Sequence, residues 1–86
     1  MIKMEQPLNF PTAEARSNWI KANATYWTAF RYLGRKRQRE EAPTLEEARI
    51  KANRMLAEND IKPVLIYAVC GISDTFVEMV LPGSFW

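Results

Sequence analysis

The stretch from Thr25 to Ala42, TYWTAFRYLGRKRQREEA, decides the fold. It opens as a run dense in aromatic and β-branched side chains, Thr25 to Leu33, which favours an extended strand. Successive side chains on a strand point to opposite faces. Tyr26, Thr28, Phe30 and Tyr32 therefore share one face, and Trp27, Ala29, Arg31 and Leu33 the other. Both faces begin apolar, so the strand is expected to be covered on both sides there. Gly34 supplies a backbone that tolerates positive φ, as a tight hairpin turn requires. Arg37 to Ala42 then returns antiparallel with no apolar stripe. A strand made almost wholly of charge suits a sheet edge, where charge discourages pairing with other chains.

Working outward, Pro43 and Thr44 stop the charged strand. Thr44-Leu45-Glu46-Glu47 has the spacing of a capping box, which predicts a helix from Leu45 to about Glu58. Leu45, Ala48, Ala52, Met55 and Leu56 form its apolar stripe. Glu47 with Lys51, and Arg54 with Glu58, are spaced to pair on the wet side, each pair contributing about 0.2–0.5 kcal/mol. Asn59-Asp60 is the stop. Pro63 to Cys70, PVLIYAVC, is almost continuously apolar and too short for a typical helix, so it reads as a central strand. Gly71 to Asp74 is turn chemistry. Thr75 to Leu81 then alternates, with Val77, Met79 and Leu81 on one face and Phe76, Glu78 and Val80 on the other. Upstream, Thr12 caps a short helix over Ala13–Ala22, with Ala15, Trp19 and Ala22 on one face and Ile20 alongside. Residues 1–11 carry Pro7 and Pro11 and read as an extended lead-in to a single domain over 12–86.

The order is α-ββ-α-ββ. Joining the two hairpins through their uncharged members gives a four-stranded antiparallel sheet of order 2-1-3-4. The expected fold is α+β and two-layered, with both helices on one face and the charged strand on an edge.

Composition removes most chemistries. The chain has 86 residues, enough for one core. It has one cysteine, Cys70, and no histidine. An internal disulfide, a Cys/His zinc site and a histidine-based nucleophilic triad are therefore unavailable. Its three glycines are isolated, so there is no glycine-rich phosphate loop. Cys70 ends the most apolar strand and reads as a buried, inert thiol. Glu40 and Glu41 are adjacent on a strand and point apart, which makes a poor catalytic couple. No enzyme, cofactor, metal or small-molecule substrate is expected. The apolar run 64–71 is too short to span a bilayer, and the first ten residues lack the apolar core of a signal peptide. A cytoplasmic protein without membrane contact is the expectation.

Binding remains. Arg31, Arg35, Lys36, Arg37 and Arg39 cluster around the Gly34 turn, and Tyr26, Trp27 or Tyr32 are placed to stack on bases. The net charge is only +2, so nucleic-acid binding would rest on this local patch. Trp19, Trp27, Phe30 and Phe76 are expected in the core, which a domain this small needs. Phe85 and Trp86 follow a Pro-Gly break and are candidate anchors for a partner.

Residues 26–56, a strand, a basic Gly turn, a charged strand and a Thr-Leu-Glu-Glu-Ala helix, resemble the N-terminal DNA-binding domains of phage integrases. That resemblance implies a basic sheet face that meets DNA. By type alone, the chain also resembles the small anti-CRISPR inhibitors encoded by phages and mobile elements. This second resemblance implies stoichiometric docking on a protein complex that handles nucleic acid, such as a CRISPR or other defence effector. The expected function is that of a non-enzymatic inhibitor docking through the charged hairpin edge. Direct DNA or RNA binding by residues 31–39 is the alternative, and a self-associating structural protein is a third.

Overall fold

The computed structural model describes residues 9–82. Its elements are α1 (Ala13–Ala22), β1 (Tyr26–Leu33), β2 (Lys36–Ala42), α2 (Leu45–Glu58), β3 (Val64–Cys70) and β4 (Ser73–Val80). The strands form one antiparallel sheet in the order β2-β1-β3-β4. This is the α-ββ-α-ββ, α+β arrangement that the sequence predicts, with charged β2 on an edge.

Each helix begins where its cap dictates. The Thr12 hydroxyl accepts from the Ala15 N–H at 3.0 Å, and the Thr44 hydroxyl from the Glu47 N–H at 3.1 Å. Each bond satisfies an N–H that has no partner within its helix. Asn59 caps the far end of α2, and its Oδ1 accepts from the Ile61 N–H at 3.0 Å, turning the chain out of the helix. The two hairpins turn on Gly34 (φ 62) and Gly71 (φ 63). No other described residue has positive φ, so each two-residue loop takes the form that needs glycine at its first position only. For that reason the second turn is shorter than expected. Ser73 and Asp74 belong to β4, not to the turn.

The pairing places Trp27, Ala29 and Arg31 of β1 beside Ala42 of β2 and Ile66 and Ala68 of β3. This side meets the helices. Ala29, Ala42, Val64 and Ile66 form a buried core with Ala48, Ala52, Met55 and Leu56 of α2, rimmed by Trp27, Leu45, Val77 and Val80. Alanines on both layers let the helix approach the sheet closely, leaving little room for rings between them. α1 lies over β3 and β4. Its buried residue is Ile20, and the Ser17 hydroxyl meets that of Thr75 at 2.7 Å. The buried stripe is thus rotated from the expected one: Ala22 is exposed, and Trp19 packs sideways on Phe10 with ring centroids 6.1 Å apart.

Two further expectations fail for identifiable reasons. Ile66 faces Glu78 but Tyr67 faces Phe76, so Val77 is an extra residue in β4. This bulge breaks the two-residue alternation. Val77 turns to the core, while Phe76 and Met79 both fall on the opposite face. The helix pairs Glu47–Lys51 and Arg54–Glu58 are not among the ion pairs of the described residues, which are Arg39–Glu41 and Arg49–Glu78. Lys51 instead donates to the Glu41 carbonyl at 2.5 Å, and Arg49 forks onto the two Glu78 oxygens at 3.0 and 2.6 Å, tying α2 to both edges of the sheet. That fork holds the Arg49 guanidinium above its ordinary pKa.

Candidate functional site

No described element lies over the other face of the sheet. The expectation that β1 is covered on both sides therefore fails among the described residues. Alternation sends Tyr26, Thr28, Phe30 and Tyr32 of β1, Leu65, Tyr67 and Val69 of β3, and Arg37, Arg39 and Glu41 of β2 to this open side. Phe76, Asp74 and Met79 join them from β4. Phe30 and Phe76, expected in the core, stand here; Phe76 is 46% exposed and Tyr32 53%. Two edge-to-face ring pairs order the surface. Phe30 and Tyr32 meet along one strand with centroids 5.0 Å apart, and Tyr67 and Phe76 meet across strands at 5.9 Å.

A groove of about 490 Å³ runs across the strands at the Tyr26 end of this face. Thr28 and Val69, both buried, form its floor, and Tyr26, Phe30 and Tyr67 its aromatic rim. Arg37 and Arg39 line one end, on β2. Asp74, Gly71 and Ile72 line the other, at the β3–β4 turn. Ile72, at the tip of that turn, is fully exposed. Three strand spacings, roughly 14 Å, and an offset of four residues along the strands, roughly 13 Å, separate Arg39 from Asp74, so the two ends lie on a diagonal of roughly 20 Å between backbones.

The five basic residues singled out by the sequence are dispersed. Arg39 donates to Glu41 at 2.8 Å, and that bond holds its guanidinium above its ordinary pKa against partial desolvation, with Tyr26 adding to the effect. Arg37 points to the open face with no ion pair among the described residues. Arg35 occupies the turn, and Lys36 pairs with Leu33, on the helix-facing side; both are exposed.

Arg31 is not at the surface. It is 2% exposed, and every bond it makes is internal. Its Nη1 donates to the Asn59 carbonyl at 2.5 Å and the Lys62 carbonyl at 3.2 Å, its Nη2 to the Met55 carbonyl at 2.6 Å, and its Nε to Gln38 Oε1 at 2.8 Å. The guanidinium thus adds a second donor to the Met55 carbonyl, which also accepts from the Asn59 N–H at 3.1 Å, and bonds the Asn59 and Lys62 carbonyls of the chain leaving α2, at the pole of the helix dipole that favours a cation. The signal for this was present in the alternation, which puts Arg31 on the same face as Trp27 and Ala29. Trp27, the third candidate for base stacking, packs against the core for the same reason. Phe85 and Trp86 lie outside the described residues.

Sequence reasoning missed Tyr67, Phe76 and Asp74. A usable signal existed: β3 is apolar on both faces, whereas two helices on one side cover only one. Among the described residues, no group of three or more cysteine or acidic side chains is placed to hold a metal ion, and no helix is long and apolar enough to cross a membrane. Comparison with models of known protein families, with curated proteins and with solved structures found no match.

Proposed function

We propose that this protein is a non-enzymatic binding module whose open sheet face takes single-stranded nucleic acid. The observation that carries the proposal is a plane of rings, Tyr26, Phe30, Tyr32, Tyr67 and Phe76, bordered on the β2 edge by Arg37 and Arg39. Unpaired bases stack on aromatic side chains whatever their sequence, and arginines at the border meet the phosphates. Duplex bases are stacked internally and are closed to such a surface. The low net charge is compatible with a binder that draws on stacking as much as on counterion release. Binding of labelled single-stranded RNA and DNA, followed by fluorescence anisotropy across a salt series, is the test. Tyr67→Ala is expected to weaken binding by about tenfold, the worth of one stacked base. Arg37→Glu should weaken it and flatten the salt dependence by about one phosphate contact. Absence of binding at low salt would overturn the proposal.

One observation favours a second function, that of a stoichiometric inhibitor docked on a nucleic-acid-handling protein complex. Arg35 in the turn, and Lys36 and Arg37 on opposite faces of the edge strand β2, are exposed with no ion pair among the described residues, and β2 has a neighbour on one side only. Such an edge can meet an acidic protein surface with fast, oriented association. Co-purification from a host carrying defence complexes checks this. Recovery of the protein alone, with no change in phage survival, would count against it.

A further inference from the structure

Resting on the single-strand proposal, we infer that the groove at the Tyr26 end of the open face is a base-selective subsite for guanine, with Asp74 as the selecting residue. The two ends of the groove differ in charge. Arg37 and Arg39 line the β2 end, and the Asp74 carboxylate lines the β4 end, with the rings of Tyr26, Phe30 and Tyr67 between them. One nucleotide laid obliquely across the strands, with the long arginine side chains reaching to it from β2, meets all three environments in order: phosphate on the arginines, base against the rings, and the far edge of the base at Asp74.

A carboxylate only accepts hydrogen bonds, and it accepts best from two parallel donors. Among the four bases only guanine presents two neighbouring donors on its Watson–Crick edge, the N1–H and the N2 amino group. Adenine and cytosine each set an acceptor nitrogen beside their amino group. Uracil and thymine flank a single N–H with two carbonyls. Each of these would face the Asp74 oxygens with at least one lone pair. The guanidinium end is ready for phosphate. Glu41 holds the Arg39 head at 2.8 Å, so little further ordering is needed, while Arg37 brings a charge with no ion pair among the described residues.

Asp74 is exposed and is the second residue after the Gly71-Ile72 loop. Its substitution therefore leaves the core untouched. The experiment measures affinity for four uridine-rich octanucleotides that carry a single central G, A, C or U, using wild type and Asp74→Asn. The asparagine side chain offers one donor and one acceptor in place of two acceptors. Wild type is expected to bind the G oligonucleotide about tenfold more tightly than the others. Asp74→Asn should lose that preference, with the ranking of the four strands shifting toward A or C. A loss of G binding with no such shift, or equal affinity of wild type for all four strands, would overturn the guanine subsite and leave the single-strand proposal standing. No binding to any strand at low salt would overturn both, and would return the face to a protein partner.

Discussion

The two faces of the sheet are built from the same strands and follow opposite rules. On the helix side the side chains are small: Ala29, Ala42 and Ala68 from the sheet, Ala48 and Ala52 from α2, with Val64 and Ile66 between. On the open side they are rings and long chains. In a domain of this size the large aromatics usually make the core. Here Trp27 packs at the rim of the core, while Tyr26, Phe30, Tyr32, Tyr67 and Phe76 are turned outward, and the core is made by close approach of alanine-lined layers. The core residues on the helix side are at most 2% exposed, whereas Tyr32, Phe76 and Met79 on the open side remain about half exposed. A plane of half-exposed rings adds little to folding and is available to a ligand, which is why the binding proposal is placed there and not at the hairpin tip.

The largest test of this contrast is the one charge inside the helix-side layer. Arg31→Met removes the guanidinium that holds three backbone carbonyls and Gln38. The expected loss is on the order of 3–5 kcal/mol, because four hydrogen bonds from a charged donor to part-buried or buried acceptors are lost. It is read as a lower urea midpoint at unchanged slope. Arg31→Lys should recover only a part, since a single ammonium lacks the planar fork that spans separated acceptors. A loss below about 1 kcal/mol would show that the end of α2 holds without it.

Next in size is overpacking between the layers. Ala52 is fully buried at the interface of α2 with the sheet. Ala52→Leu should destabilise by about 1–3 kcal/mol by forcing the helix outward. A neutral result in thermal melts would mean that the two layers are not in close contact. The smallest effect on folding is expected from the largest truncation on the open side. Phe76→Ala should change stability by less than about 1 kcal/mol, the scale of a cross-strand pair, where a core phenylalanine would cost about 3–5 kcal/mol. The same change should weaken single-strand binding by about tenfold. Were Phe76→Ala to unfold the protein, the open face would have to be reassigned as core.

How far the site was legible follows from the same contrast. Alternation along Thr25–Leu33 grouped the β1 side chains correctly by face, Arg31 with Trp27 and Ala29, without showing which face turns inward. The charge of Arg31 still marked it as a surface candidate, because a sequence does not reveal that carbonyls at the end of a helix 24 residues away will surround it. Phe76 and Val77 were misplaced because one extra residue in β4 resets the alternation, and nothing in TFVEMV announces where the bulge falls. The groove itself joins side chains from all four strands. No local pattern contains it.

The sequence by itself determined the elements, their order and the position of the charged strand. These depend on local chemistry: the caps Thr12 and Thr44, the hairpin glycines Gly34 and Gly71, the stripe of α2 and the apolar run of β3. Only the tertiary structure decided which face the helices cover, and therefore which apolar side chains are buried and which are presented. The physical reason is that β1 and β3 are apolar on both sides, so pattern alone leaves the choice open. Close packing against the alanines of α2 settles it, and places the rings, Arg37, Arg39 and Asp74 on the same open surface.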